Sequence, residues 1–172
     1  MKNAIWIVLL GVLAGILVVV GVLRKGHTDG SRKIGVVPKE TVSVYWEGVR
    51  QGALQAGREE GFDILWNGPE VETDRERQVQ IVEDMMAQKV AGIVLAPSDR
   101  KALVPVVEKV HERGIPCVIV DSGVDTENIL SYMATDNYQG GVLAAQRMGR
   151  ILEGKGRIII VRWTPNSAST DA

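Results

Sequence analysis

The stretch KIGVVPKETVSVYWEGVRQGALQAGREE, Lys33 to Glu60, decides the fold. Its first part, Lys33-Ile34-Gly35-Val36-Val37, is an apolar run that halts at Pro38-Lys39-Glu40 and is too short for a helix. Val42, Tyr45, Trp46, Val49, Ala53 and Ala56 then recur at spacings of three and four, the period of one helical face. A strand, a loop and a helix in that order open an alternating α/β domain. Ligands of such domains bind at the carboxyl ends of the strands. The loop Pro38 to Trp46 is therefore the first candidate wall of a cleft.

Downstream the alternation continues. Phe62 to Trp66, Ala91 to Leu95 and Ile115 to Val120 read as strands, with Leu130 to Ala134 as a short fifth. Gly61 and Gly114 stand where helices end. Thr73-Asp74-Arg75-Glu76 has the form of a capping box opening a helix that carries Val79, Val82 and Met86. Leu103, Val106, Val107 and Val110 mark another helix, with Pro105 implying a late or kinked start. A helix over 138–152 and a strand from Arg157 to Arg162 complete the pattern. Strands and helices alternating at this length predict parallel βαβ units. The polar run Asn166 to Ala172 reads as a loop and helix cap with no helix after it, so the sequence reads as cut short.

Before this domain, Ala4 to Leu23 carries no charge and is long enough to span a bilayer core. No small-x-small cleavage site ends it and no cysteine follows it, so a retained anchor is favoured over a cleaved signal. Positive charges alone, Arg24 and Lys25 after the run against Lys2 before it, favour an inside location for the domain. Gly26 to Ser31 forms a polar linker, where His27 has no partner of metal-ligand spacing.

Among 172 residues, 20 are basic and 21 acidic, and the basic ones are scattered, which argues against nucleic acid as a partner. A single cysteine, Cys117, excludes an intrachain disulfide; its setting in Pro116-Cys117-Val118-Ile119-Val120 is that of a small buried apolar residue. No glycine-rich phosphate loop follows the first strand, no G-x-S-x-G elbow occurs, and the two histidines lie in a linker and on a helix. Asp121 and Asp136 could form an acid/base pair, but ligand or turn hydrogen bonds explain acids at strand ends more simply. No enzyme activity and no cofactor or metal are expected.

A binding site fits better. A neutral polyol needs hydrogen-bonding groups for its hydroxyls and flat apolar faces for its C–H bonds. Tyr45 and Trp46 could supply the faces, and Lys39, Ser43, Asp121 and Ser122 the polar contacts. Trp46 is also in phase with Val49 and Ala53, so burial under the helix competes with a place in the cleft.

Taken in order, several segments resemble the ribose-type sugar-binding proteins of bacterial ABC importers. They are Ile34 to Lys39, Tyr45 to Ala53, Gly92 to Pro97, Gly114-Ile115-Pro116, Asp121-Ser122-Gly123 and Ala134-Thr135-Asp136-Asn137. The resemblance covers Lys33 to Ala172 and implies a type I periplasmic binding protein fold, α/β with a parallel doubly wound sheet in each of two hinged lobes. It implies a signal or membrane anchor over 1–23, a linker over 24–32, a first lobe over 33–136, and an incomplete second lobe over 137–172. Lys39, Ser43, Tyr45, Trp46 and Asp121 fall at the family's ligand-contact positions, and Thr135, Asp136 and Asn137 at its first hinge crossover. Ser122 replaces the arginine of ribose binders, removing a bidentate donor and putting ribose itself in doubt. The implied role is capture of a sugar on the outer face of the membrane and delivery to an ABC permease. Rival readings are a membrane-tethered sensor domain signalling to a receptor or kinase, a repressor's effector domain, and an enzyme on the same sheet.

Overall fold

A computed structural model describes residues 32–161 and 163–170; the expected apolar span over 4–23 and most of the linker lie outside the described residues. The chain runs β1 (Lys33–Val37), α1 (Val44–Glu60), β2 (Asp63–Trp66), α2 (Arg75–Ala87), β3 (Gly92–Leu95), α3 (Val104–Glu112), β4 (Cys117–Val120), β5 (Ser131–Met133) and α4 (Asn137–Ile151). The five strands form one parallel sheet in the order β2-β1-β3-β4-β5. The chain steps outward from β1 to β2, then returns past β1 to β3. That reversal puts α1 on one face of the sheet and α2 with α3 on the other, since parallel crossovers keep one hand.

The second of these faces holds the core. Val37, Ile93, Leu95, Cys117 and Ile119 point at Ile81, Val82, Met85, Leu103, Val106, Val107 and Val110, all nearly inaccessible. Alternation along the strands sends Ile34, Val36, Ile64, Trp66, Val94 and Val120 to the face under α1. Burial pushes the Cys117 thiol up to about 11, so the cysteine behaves as a core hydrophobe.

Local signals set most boundaries. Ser43 caps α1, its Oγ accepting from Trp46 N at 3.4 Å. The helix stops at Gly61, whose φ of 73° is the left-handed conformation that glycine takes freely. Two sequence expectations fail. The cap of α2 is Asp74, whose carboxylate accepts from Arg77 N at 3.0 Å, in place of the capping box starting at Thr73. A carboxylate one residue later still reaches the free amides of the first turn, and it adds favourable charge there. Residues 157–161 form no strand, and Ile159, Ile160 and Val161 are 91, 86 and 87% exposed. A strand exists only through a neighbour's backbone, and among the described residues nothing pairs with this run. Pro105 lies in the first turn of α3, where a proline costs no hydrogen bond and causes no kink.

Two tests follow from the packing. At Gly57 an added Cβ would lie 2.5 Å from Ile64 Cγ1 and 2.8 Å from the Phe62 carbonyl oxygen. Gly57→Ala should therefore lower stability by about 1–3 kcal/mol through overpacking, read as a lower urea midpoint, despite alanine's better helix propensity. Cys117 in the native chain should resist a disulfide reagent at pH 8 that labels the urea-unfolded chain completely, because only the thiolate reacts.

Candidate functional site

The carboxyl ends of β1, β3 and β4 converge on one edge of the sheet, where the strand order reverses. Between β1 and β3 the space is filled by Gln78 of α2, fully buried. Its amide nitrogen donates to the Pro38 carbonyl at 2.9 Å and to the Ala96 carbonyl at 2.8 Å. Its amide oxygen accepts from Ser98 N at 3.0 Å and from Ser98 Oγ at 2.9 Å. One side chain thus ties both loops together, and the open space lies further along, towards β4 and β5.

That space is a cleft of about 420 Å³ whose walls include Tyr45, Trp46, Val49, Asp121, Thr135 and Asn137. Tyr45 and Trp46 come from the first turn of α1, with ring centroids 5.0 Å apart and planes at 81°, an edge-to-face pair. Tyr45 is 60% exposed and Trp46 only 5%. Trp46 also lines the space under α1, so burial and the cleft share its two sides. A larger groove of about 560 Å³ lies between α1 and the sheet. Its walls are almost wholly apolar and offer no convergent hydrogen-bonding groups, so the smaller cleft is the better candidate site.

Asp121 is the polar centre of the cleft. It follows β4 with φ of 64°, a conformation rare outside glycine and tolerated by Asp. Its amide donates to the Met133 carbonyl at 3.0 Å, which holds the turn. Oδ1 accepts from the Tyr45 hydroxyl at 3.3 Å, and Oδ2 pairs with Lys39 Nζ at 2.8 Å. Burial and the Asp121 charge beside it raise the Tyr45 hydroxyl above its ordinary value of 10.0.

Lys39 and Ser43 are not among the cleft walls. Lys39 is 4% exposed and lies behind Asp121, paired also with Glu72 Oε1 at 3.4 Å. Ser43 serves as the cap of α1, and its amide donates to Glu40 Oε2 at 3.2 Å. Ser122 is fully buried; its Oγ donates to Asp121 Oδ2 at 3.4 Å and accepts from Ser169 N at 3.2 Å. Of the three hinge positions, Thr135 and Asn137 line the cleft, while Asp136 caps α4 by accepting from Gln139 N at 2.8 Å.

Behind the cleft, residues 163–170 cross the edge of the sheet. The Trp163 indole donates to Glu72 Oε2 at 3.1 Å, and Arg100 N donates to the Asn166 carbonyl at 3.0 Å. Asp99 steadies the same edge. Burial alone would raise its carboxyl, but the Ala102 and Lys101 amides, Arg75 and Asn166 hold it below the usual carboxylate range. Glu72, Gln78 and Asp99 carry no motif that would have marked them in the sequence. Among the described residues no cluster of His, Cys, Asp and Glu could hold a metal, and no helix is long and apolar enough to cross a membrane.

The parallel sheet with helices on both faces, order β2-β1-β3-β4-β5, is that of the type I periplasmic binding protein fold. The chain belongs to the family of periplasmic binding protein domains, whose family model matches residues 34–172. It is 31% identical over 154 residues to a D-ribose/D-allose-binding protein of Pseudomonas aeruginosa, covering 85% of this chain and 48% of that protein. A solute-binding protein from Agrobacterium vitis, solved with bound D-fucose, shares 35% identity at a TM-score of 0.76, over 80% of this chain and 49% of that one. A carbohydrate-transporter binding protein from Agrobacterium radiobacter, solved with D-arabinose, gives 33% and 0.78, over 81% and 48%. The chain spans about half the length of the relatives it matches.

The contact between Tyr45 and Asp121 is open to a direct test. Tyr45 should ionise late, above its ordinary value, in an absorbance titration at 295 nm. The late step should vanish in Tyr45→Phe and move down in Asp121→Asn. The neutral form is the one the fold favours, so this small stabilising contribution is present below pH 10 and lost as pH rises through the raised value.

Proposed function

We propose that this chain is the ligand-capturing part of an extracytoplasmic solute-binding protein that takes a neutral monosaccharide for an ABC importer. The observation that carries the reading is the cleft wall formed by Tyr45, Trp46 and Asp121. An exposed aromatic face beside a carboxylate is the pairing a pyranose or furanose ring needs. The relatives, which are binding proteins for sugars, support the same class of ligand.

On this reading Tyr45 and Trp46 hold the C–H faces of the sugar, and Asp121 Oδ1 accepts from its hydroxyls. Ser122, Ser43 and Lys39 support these residues from behind. Residues 33–136 act as the first lobe, 137–172 begin the second, and Thr135 to Asn137 form the crossover between them. The apolar run over 4–23 carries the protein out of the cytoplasm as a signal or stays as its anchor, and an ABC permease receives the ligand. The chain does no chemistry on the sugar.

Titration calorimetry of the full chain with D-ribose, D-allose, D-arabinose and D-fucose tests the reading. At least one should bind, and Asp121→Ala should weaken it by tenfold or more, as expected for a hydrogen bond to a charged group of about 1.5–3 kcal/mol. A folded chain that binds none of the four overturns the proposal.

A further inference from the structure

Lys39 offers an ammonium group at the loop after β1, where a ligand hydroxyl could be expected to meet it. The geometry around Nζ gives it other work. Three acceptors lie closest: Asp121 Oδ2 at 2.8 Å, Ser169 Oγ at 2.9 Å and Ser167 Oγ at 3.1 Å. Glu72 Oε1 stands behind them at 3.4 Å. An ammonium carries three protons, and these three acceptors use all of them. The side chain is 5% exposed, so no face of the group is open to the cleft. We propose that Lys39 is a positioning residue, which holds the Asp121 carboxylate and the segment 163–170 as one unit instead of touching the ligand.

The charges require such an arrangement. A lysine this buried is stable only with partners, because desolvating an ammonium costs several kcal/mol. Glu72 and Asp121 together outnumber it by one negative charge. Ser167 and Ser169 then complete its hydrogen bonds from 128 and 130 positions away in the chain. Ser167 is fully buried with its hydroxyl at this one centre, although its neighbours Pro165 and Asn166 are exposed. The segment is bound to the sheet edge mainly through polar atoms. Besides Lys39, it uses the Ser169 amide on Ser122 Oγ, the Trp163 indole on Glu72, and the Asn166 carbonyl under Arg100 N. Glu72 and Ser122 are themselves bonded to members of the Lys39 cluster. Loss of the ammonium leaves two carboxylates facing a gap and removes the donor that both serines share, leaving their contact with each other at 3.3 Å and that of Ser167 with Glu72 at 3.5 Å. The segment should therefore loosen first, and the Asp121 carboxylate should lose the shortest of its three contacts. With Oδ2 held by Lys39, Oδ1 is kept towards Tyr45 and the cleft.

Hydrogen exchange read by mass spectrometry on the full chain tests this without any ligand. In Lys39→Met, amides of 166–170 should exchange at least tenfold faster. Amides along β1 and β3, such as Ala96 N on the Val37 carbonyl, should keep their rates. The Ser167→Ala/Ser169→Ala pair should produce a similar rise in the wild-type background and almost none in the Lys39→Met background. A lysine contributing only general stability would give additive effects instead. If Lys39→Met unfolds the whole sheet, the serine pair alone decides, since it removes no charge. Exchange in 166–170 within twofold of wild type in the serine pair, or full additivity in the cycle, overturns the proposal.

Discussion

A parallel sheet has two apolar faces, and neither can be left to water. That constraint explains the form of this chain better than any single contact. On one face, two helices meet the strands and the side chains between them are almost completely enclosed. On the other, α1 lies alone over Ile34, Val36, Val94 and Val120, and a groove of about 560 Å³ remains beside it. Stability is therefore concentrated on the α2 and α3 side. The α1 side is where Trp46 can belong to the core and the cleft at once.

The same asymmetry positions the site. Because α1 springs from the loop after β1, its first turn brings Tyr45 and Trp46 to the sheet edge. Because the strand order reverses at β1, the neighbouring loops part there and need something between them. Gln78 is that filler, and its four hydrogen bonds close the gap that would otherwise hold unpaired carbonyls. The cleft opens next to this plug, beneath the aromatic pair and beside Asp121. Supports held by packing and hydrogen bonds favour a small-molecule site, since little entropy is then lost on binding.

Much of this was legible in the residues. Two periods, short apolar runs and helical spacing, separated strands from helices between Lys33 and Ile151, and Gly61 and Gly114 marked their ends correctly. Of the six candidate contacts read from the sequence, the fold brings Tyr45, Trp46 and Asp121 to one cleft and leaves Lys39, Ser43 and Ser122 out of its walls. What the sequence hid has physical reasons. Thr73 and Asp74 both cap helices well, and only the path of the preceding loop chooses between them. The run from Ile158 to Val161 is strand-like by composition, but pairing depends on a neighbour that composition does not report. Glu72 and Gln78 act through contacts with residues far along the chain, and no local pattern encodes those. Lys39 was expected to meet the ligand, and the inward direction it takes in the fold was not legible.

That direction changes how the charges of the site should be read. Taken from the sequence alone, a lysine and an aspartate at neighbouring strand ends suggest a cleft able to meet donors and acceptors alike. In the fold, the ammonium is turned inward and fully occupied, so the cation neutralises the wall from behind and the cleft shows the carboxylate. The surface offered to a ligand is then an aromatic ring, a carboxylate oxygen, and the side chains of Thr135 and Asn137. Such a surface can accept hydrogen bonds from hydroxyls, and no ammonium or guanidinium among the described residues that line it offers an anion a partner. That the buried cation leaves its partner acid at the cleft is an outcome of packing. It follows from where Asp121, Ser167 and Ser169 sit around the ammonium.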